Sequence, residues 1–103
     1  MRYLPINKWL IPHVFSIRLA GKTYKFVVKY NPQGDFFTVD LYQRGKLLAA
    51  GVKIVYGAPL FADFTDPDFP DVELIPIDMS DQYRQVTWDN FGESVRVYIL
   101  EGF

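Results

Sequence analysis

An all-β fold is predicted by this sequence: a single small antiparallel barrel or sandwich that begins with a four-stranded meander. Three observations predict it. Apolar and polar residues alternate with period two through residues 14–56, and turn dipeptides punctuate that run at the spacing of short strands. Aromatic residues make up 17% of the chain, a composition that suits pleated, half-buried surfaces. No segment carries a helical repeat long enough to cover a sheet, so the apolar face of the meander must be buried by later strands or by closure into a barrel. Six or seven strands are expected.

The first strand reads as Phe15, Ile17 and Leu19 inward, with Ser16, Arg18 and Ala20 outward. A turn at Gly21-Lys22, with Gly first as a type II′ turn prefers, pairs Leu19 with Tyr24, Ile17 with Phe26 and Phe15 with Val28. That register sets Arg18 opposite Lys25, a like-charge pair that calls for a nearby acid. Pro32 and Gly34 mark the next turn, after which Tyr30 pairs with Phe37, Val28 with Val39 and Phe26 with Leu41. Asp40 then faces Val27 on the outer side, diagonal to Lys25 and Lys29. A turn at Arg44-Gly45 pairs Leu41 with Leu48, Val39 with Ala50 and Phe37 with Val52, and Ile54 and Tyr56 continue the apolar face.

The second half is less regular. Residues 63–71 hold two prolines and four aspartates with no sustained period and read as a long loop. Strand character returns at residues 72–79, where Pro76 assigns the strand to an edge or a bulge because it has no N–H to donate. Residues 80–84 suit one capped helical turn, and Val95, Val97 and Ile99 lie on the inner face of a last strand. With 103 residues the chain divides into an extended N-terminal arm, residues 1–13, and a single all-β domain, residues 14–103.

Composition excludes much chemistry. The absence of Cys removes thiolate nucleophiles, disulfides and Cys-ligated metals, and one lone His13, read as a surface or edge residue, removes sites needing two imidazoles. The serines sit in no nucleophile-elbow pattern and no Gly-rich phosphate loop is present, so neither catalytic residues nor cofactors are assigned. The longest uncharged apolar stretch, residues 54–62, is far short of the roughly 20 residues a bilayer helix needs, so no membrane association is expected. Residues 63–73 gather five acids, which invites a calcium reading, but Pro67 and Pro70 stand where such a loop needs glycine, and a structural or solubilising role is preferred.

The net charge of −1 conceals a split. Residues 1–56 hold nine Lys or Arg against Asp35 and Asp40, whereas residues 57–103 hold Arg84 and Arg96 against ten acids. Either the halves neutralise one another or a dipolar surface meets partners. The candidate partner-contact residues are Arg18, Lys25, Lys29, Phe36 and Tyr42 on the outer face, with Asp66 and Asp68 in the acidic loop. Lysines beside Tyr24, Phe26 and Tyr30 also suggest an OB-like single-stranded nucleic-acid binder, an alternative weakened by a register that turns those aromatics inward.

The run FSIRLAGKTYKFVVKYNPQGDFFTVDLYQRGKLLAAGVKIVYGAPLF resembles the small baseplate plug proteins of contractile-tailed bacteriophages. The resemblance is carried by the hairpin at Leu19, Ala20 and Gly21, by Tyr30-Asn31 ahead of an aromatic pair, by Asp40-Leu41, by the spacing of Gly45, Leu48, Gly51, Ile54, Gly57 and Leu60, and by Val97-Tyr98-Ile99. It spans about residues 14–100. Family members often carry Trp where this chain has Phe36-Phe37. The resemblance implies a structural, non-enzymatic virion protein of the tail baseplate, made in the host bacterial cytoplasm. It implies packing against hub and tube-initiator proteins at the centre of the tail's base; separately, the acids of residues 63–73 equally suit the basic half of a neighbouring copy of the chain.

Overall fold

A computed structural model describes residues 2–101, so Met1 and the last two residues of the predicted domain lie outside the described residues. The strands are β1 (His13–Leu19), β2 (Lys22–Asn31), β3 (Phe36–Gln43), β4 (Lys46–Lys53), β5 (Val72–Asp78) and β6 (Val95–Glu101). β1 to β4 form one antiparallel sheet in sequence order, as the meander reading requires, and β5 pairs with β6 in a second sheet. The fold is all-β, and a single 3₁₀ turn, Lys8–Leu10, is the one helical element among the described residues.

The sheets share one core because their alternating apolar residues converge on it. Tyr24, Phe26, Val28, Phe37, Val39 and Leu41 come from the meander, and Leu74, Val95, Val97 and Ile99 from the second sheet. Phe26, Val28, Phe37, Val39 and Leu41 are completely buried. Val52, expected with them, is half-buried against the cluster.

The β2–β3 register is as read from the sequence, with Phe26 opposite Leu41, Val28 opposite Val39 and Tyr30 opposite Phe37. The first hairpin differs by two residues. Its turn is Ala20-Gly21, at φ 49° and 83°, and Leu19 pairs with Lys22, Ile17 with Tyr24 and Phe15 with Phe26. Positive φ at both turn positions is the type I′ form, whose twist matches the strands it joins. A two-residue shift keeps every side chain on its face, so the apolar pattern cannot distinguish the registers. The observed one stacks Phe15 on Phe26 with ring centroids 5.2 Å apart, and sets Arg18 opposite Thr23, so the expected Arg18–Lys25 pair does not form.

The third hairpin turns at Arg44-Gly45 as expected, but its pairing drifts. Leu41 faces Ala49 instead of Leu48, Val39 faces Val52 instead of Ala50, and the Ile54 N–H donates to the Phe37 carbonyl where Val52 was expected. Two bulges cause this, the second containing Gly51 at φ 66°. Each inserts a residue into β4, bending the strand and increasing its twist. Ala50 consequently lies exposed.

Pro76 lies on an edge. Its carbonyl and that of Leu74 accept the N–H groups of Gly57 and Leu60, so the side of β5 where Pro76 lacks a donor is covered by the chain that leaves the meander. The far side of β6 is taken by the N-terminal stretch: Leu4 N–H donates to the Val97 carbonyl, and Ile99 N–H to that of Arg2. Residues 80–84 form no helical turn. Instead the Asp78 carboxylate collects the N–H groups of Ser80, Gln82 and Tyr83, an arrangement of local side-chain acceptors that competes with helix formation.

Candidate protein-interaction face

Period-two alternation sends Arg18, Lys25, Lys29, Phe36, Asp40, Tyr42 and Lys53 to the side of the meander away from the core. Cross-strand pairing then decides their neighbours. Lys25 lies opposite Tyr42, and its ammonium sits 4.5 Å from that ring's centroid. Lys53 reaches the Phe36 ring at 4.6 Å. Each aromatic face thereby receives a cation, which orients the lysine stem across the sheet and leaves apolar and cationic surface side by side. Arg18 is exposed on β1, beside the pair formed by Ser16 and Lys25.

Asp40 is the sole carboxylate on the strands of this face, and it is buried. One oxygen accepts the Gly51 N–H at 2.7 Å, and the other lies 3.1 Å from the Lys29 ammonium. The Gly51 hydrogen bond, reinforced by Lys29 against the opposing effect of burial, holds the carboxyl below the usual aspartate range. The acid that the sequence called for is thus present, but it serves Lys29 and the bulge, while Lys25 rests on Tyr42.

Asp66 and Asp68 are not brought to this face. The acidic loop folds against the hairpin-turn end of the meander, where the Tyr24 hydroxyl donates to the Asp68 carbonyl at 2.7 Å and the Lys22 ammonium to that of Pro67 at 3.4 Å. The Asp68 carboxylate lies 3.7 Å from the Lys46 ammonium, and an Asp66 carboxylate oxygen accepts the Asp68 N–H. Basic and acidic halves therefore meet within one molecule at that end, whereas Lys25 and Lys53 of the outer face have no carboxylate partner among the described residues. Among the described residues no group of His, Cys, Asp or Glu side chains is arranged to hold a metal ion.

A second cluster escaped sequence reasoning. Lys8 is buried, and its ammonium donates to the Trp88 and Asp89 carbonyls while lying 5.3 Å from the Trp88 ring and 5.5 Å from that of Trp9. Trp88 meets Trp9 edge-on and stacks on Phe37. Its N–H donates to Asp35, whose carboxylate also accepts the Tyr30 hydroxyl at 2.7 Å. Trp9 and Leu10 remain 74% and 58% exposed beside this anchor. Two tryptophans flanked by turn residues were the available signal, but nothing local connects residue 8 with residue 88.

His13 accepts the Asn7 N–H through Nδ1 at a strand start, as an edge residue would. Tyr24 and Phe26, which a nucleic-acid platform needs exposed, are buried, and the outer-face aromatics lie under lysines. No curated protein matches the chain. The sequence profile described as "Cyanophage baseplate Pam3 plug gp18" matches residues 1–102, and the chain, all-β in fold, belongs to this family of phage baseplate plug proteins, structural components of the virion tail.

Proposed function

We propose that the outer face of β1 to β4 is the surface by which this plug packs against hub and tube-initiator proteins at the centre of the baseplate, with no catalytic role. The observation that carries this reading is the pairing of Lys25 with Tyr42 and Lys53 with Phe36 on a face whose one strand carboxylate is already engaged. Apolar rings give a docking surface its area, and free cations steer and register an acidic partner. On this reading the chain is made in the host bacterial cytoplasm and incorporated during tail assembly.

Coexpression with the neighbouring tail proteins tests the proposal. The wild-type chain should copurify with hub and tube initiator, and Lys25→Glu with Lys53→Glu should weaken that recovery at least tenfold while leaving the melting temperature within a few degrees. Both side chains are exposed, so the exchange is aimed at the partner and not at the core. Recovery unaffected by the double exchange would overturn the assignment of this face. So would salt-sensitive binding of single-stranded oligonucleotides that the same exchange abolishes.

A further inference from the structure

We infer that β1 is a self-pairing edge, through which two copies of this chain join antiparallel about a twofold axis at Ser16. The two sheets have four edges; two are covered and a third is blunted. Gly57 and Leu60 bond along β5, and residues 2–4 along β6. β4 is bent by two bulges and has Lys46 and Lys53 at its ends, devices that blunt an edge against pairing. β1 has neither bulge nor cover: all seven residues pair in regular register with β2 on one side, and no backbone hydrogen bond reaches the other side among the described residues.

The first turn decides which groups are free. A two-residue hairpin makes its flanking residues, Leu19 and Lys22, a hydrogen-bonded pair, so Leu19, Ile17, Phe15 and His13 direct their backbone groups at β2. Val14, Ser16 and Arg18 direct theirs outward. Groups at every second residue along an extended strand are matched by another extended strand, and the sequence around Ser16 is self-complementary as such a partner. With Ser16 opposite Ser16, Val14 of each copy faces Arg18 of the other, so no like charges oppose. On the core side Phe15 faces Ile17. Both are only half-buried in one copy, and pairing would continue the apolar layer from one molecule into the next. Val14, on the strand itself, is exposed.

Cross-linking and sedimentation test the pairing. Residues that form a hydrogen-bonded antiparallel pair have Cα atoms about 5.5 Å apart, within disulfide range, and the native chain has no cysteine. Ser16→Cys should therefore give a disulfide-linked dimer under mild oxidation, whereas Arg18→Cys, which faces Val14 of the second copy, should cross-link at least tenfold more slowly. The unmodified chain should sediment as a concentration-dependent dimer. Ser16→Pro removes an outward N–H without touching the β1–β2 ladder and should yield folded monomer. Should that variant fail to fold, Val14→Lys sets a second cation against Arg18 and should also give monomer, and adding Arg18→Glu should restore the dimer. A wild-type chain monomeric at all concentrations would overturn the inference, as would equal cross-linking of the two cysteine variants.

Discussion

Asp40 and Gly51 are joined across the second bulge of the meander by a 2.7 Å hydrogen bond from the glycine N–H to the carboxylate. Gly51 holds a positive φ with open space where a Cβ would stand, so conformation and not crowding makes glycine suitable there. The acid and the glycine together convert what would be a regular hairpin into a bent edge, and they hold Lys29 on the outer face.

Asp40→Ala should destabilise the fold by about 1.5–3 kcal/mol, because it removes the charged acceptor of the Gly51 N–H and the ion pair with Lys29. Gly51→Ala should cost about 1 kcal/mol, more than an exposed alanine ordinarily would. Urea unfolding of both variants checks this, and near-neutral values would show that the bulge stands without them.

Acid should weaken the protein from the same group. Asp40 titrates below its ordinary value in the folded chain, as do Asp78, held down chiefly by the Ser80 hydroxyl, and Asp35, held down chiefly by the Tyr30 hydroxyl. A lowered carboxyl pKa contributes stability that is fully present above the unfolded value, about 3.9, and is lost as pH falls through the folded one. The melting temperature should therefore decline below about pH 4. The decline should be shallower in Asp40→Asn.

Tyr30 gives the opposite sign at the alkaline end. The hydrogen bond to Asp35 raises its pKa to about 12, so its contribution is complete below the unfolded value near 10 and disappears as pH rises through about 12. Burial, with the nearby Asp68, also raises Tyr24, so a spectrophotometric titration at the tyrosinate band should show two late-titrating tyrosines, of which only Tyr30 moves to lower pH in Asp35→Asn.

Phe26→Ala should cost about 3–5 kcal/mol, since the ring is fully buried and stacks on Phe15. Chemical denaturation measures it. A loss below 1 kcal/mol would contradict the burial.

Lys8→Met should preserve most of the buried stem while deleting the ammonium that Trp88 and Asp89 accept. The expected outcome is a loss of about 1–3 kcal/mol with a shift in tryptophan emission, because those carbonyls lose a charged donor and the ring loses its cation. Unchanged fluorescence would show that the N-terminal segment is held by other contacts.

Excess calcium should leave the melting temperature unchanged. A site on the folded chain would add about 2.7 kcal/mol at a hundredfold excess over its dissociation constant. A rise abolished by Asp66→Asn with Asp68→Asn would reverse the reading of the acidic loop.

Strand identity, the inward and outward faces of β1 to β3, the β2–β3 register and the assignment of Pro76 to an edge or a bulge were legible in residue order, because alternation and turn chemistry act over neighbours and burial rewards one face as a whole. What alternation cannot choose is between registers that differ by two. Pairing Ile17 with Tyr24 instead of Phe26 was decided by the twist of the Ala20-Gly21 turn and the stacking of Phe15 on Phe26, which exist only once strands lie side by side. The second bulge of β4, where the Gly51 N–H donates to Asp40, likewise joins groups that meet only across the assembled sheet. Lys25 and Tyr42 could be placed on the outer face from sequence. Asp68 meeting Lys46, and Lys8 meeting Trp88, join residues far apart in the chain, and only the tertiary structure, by packing the loop and the N-terminal segment onto the sheets, brings such charges within reach.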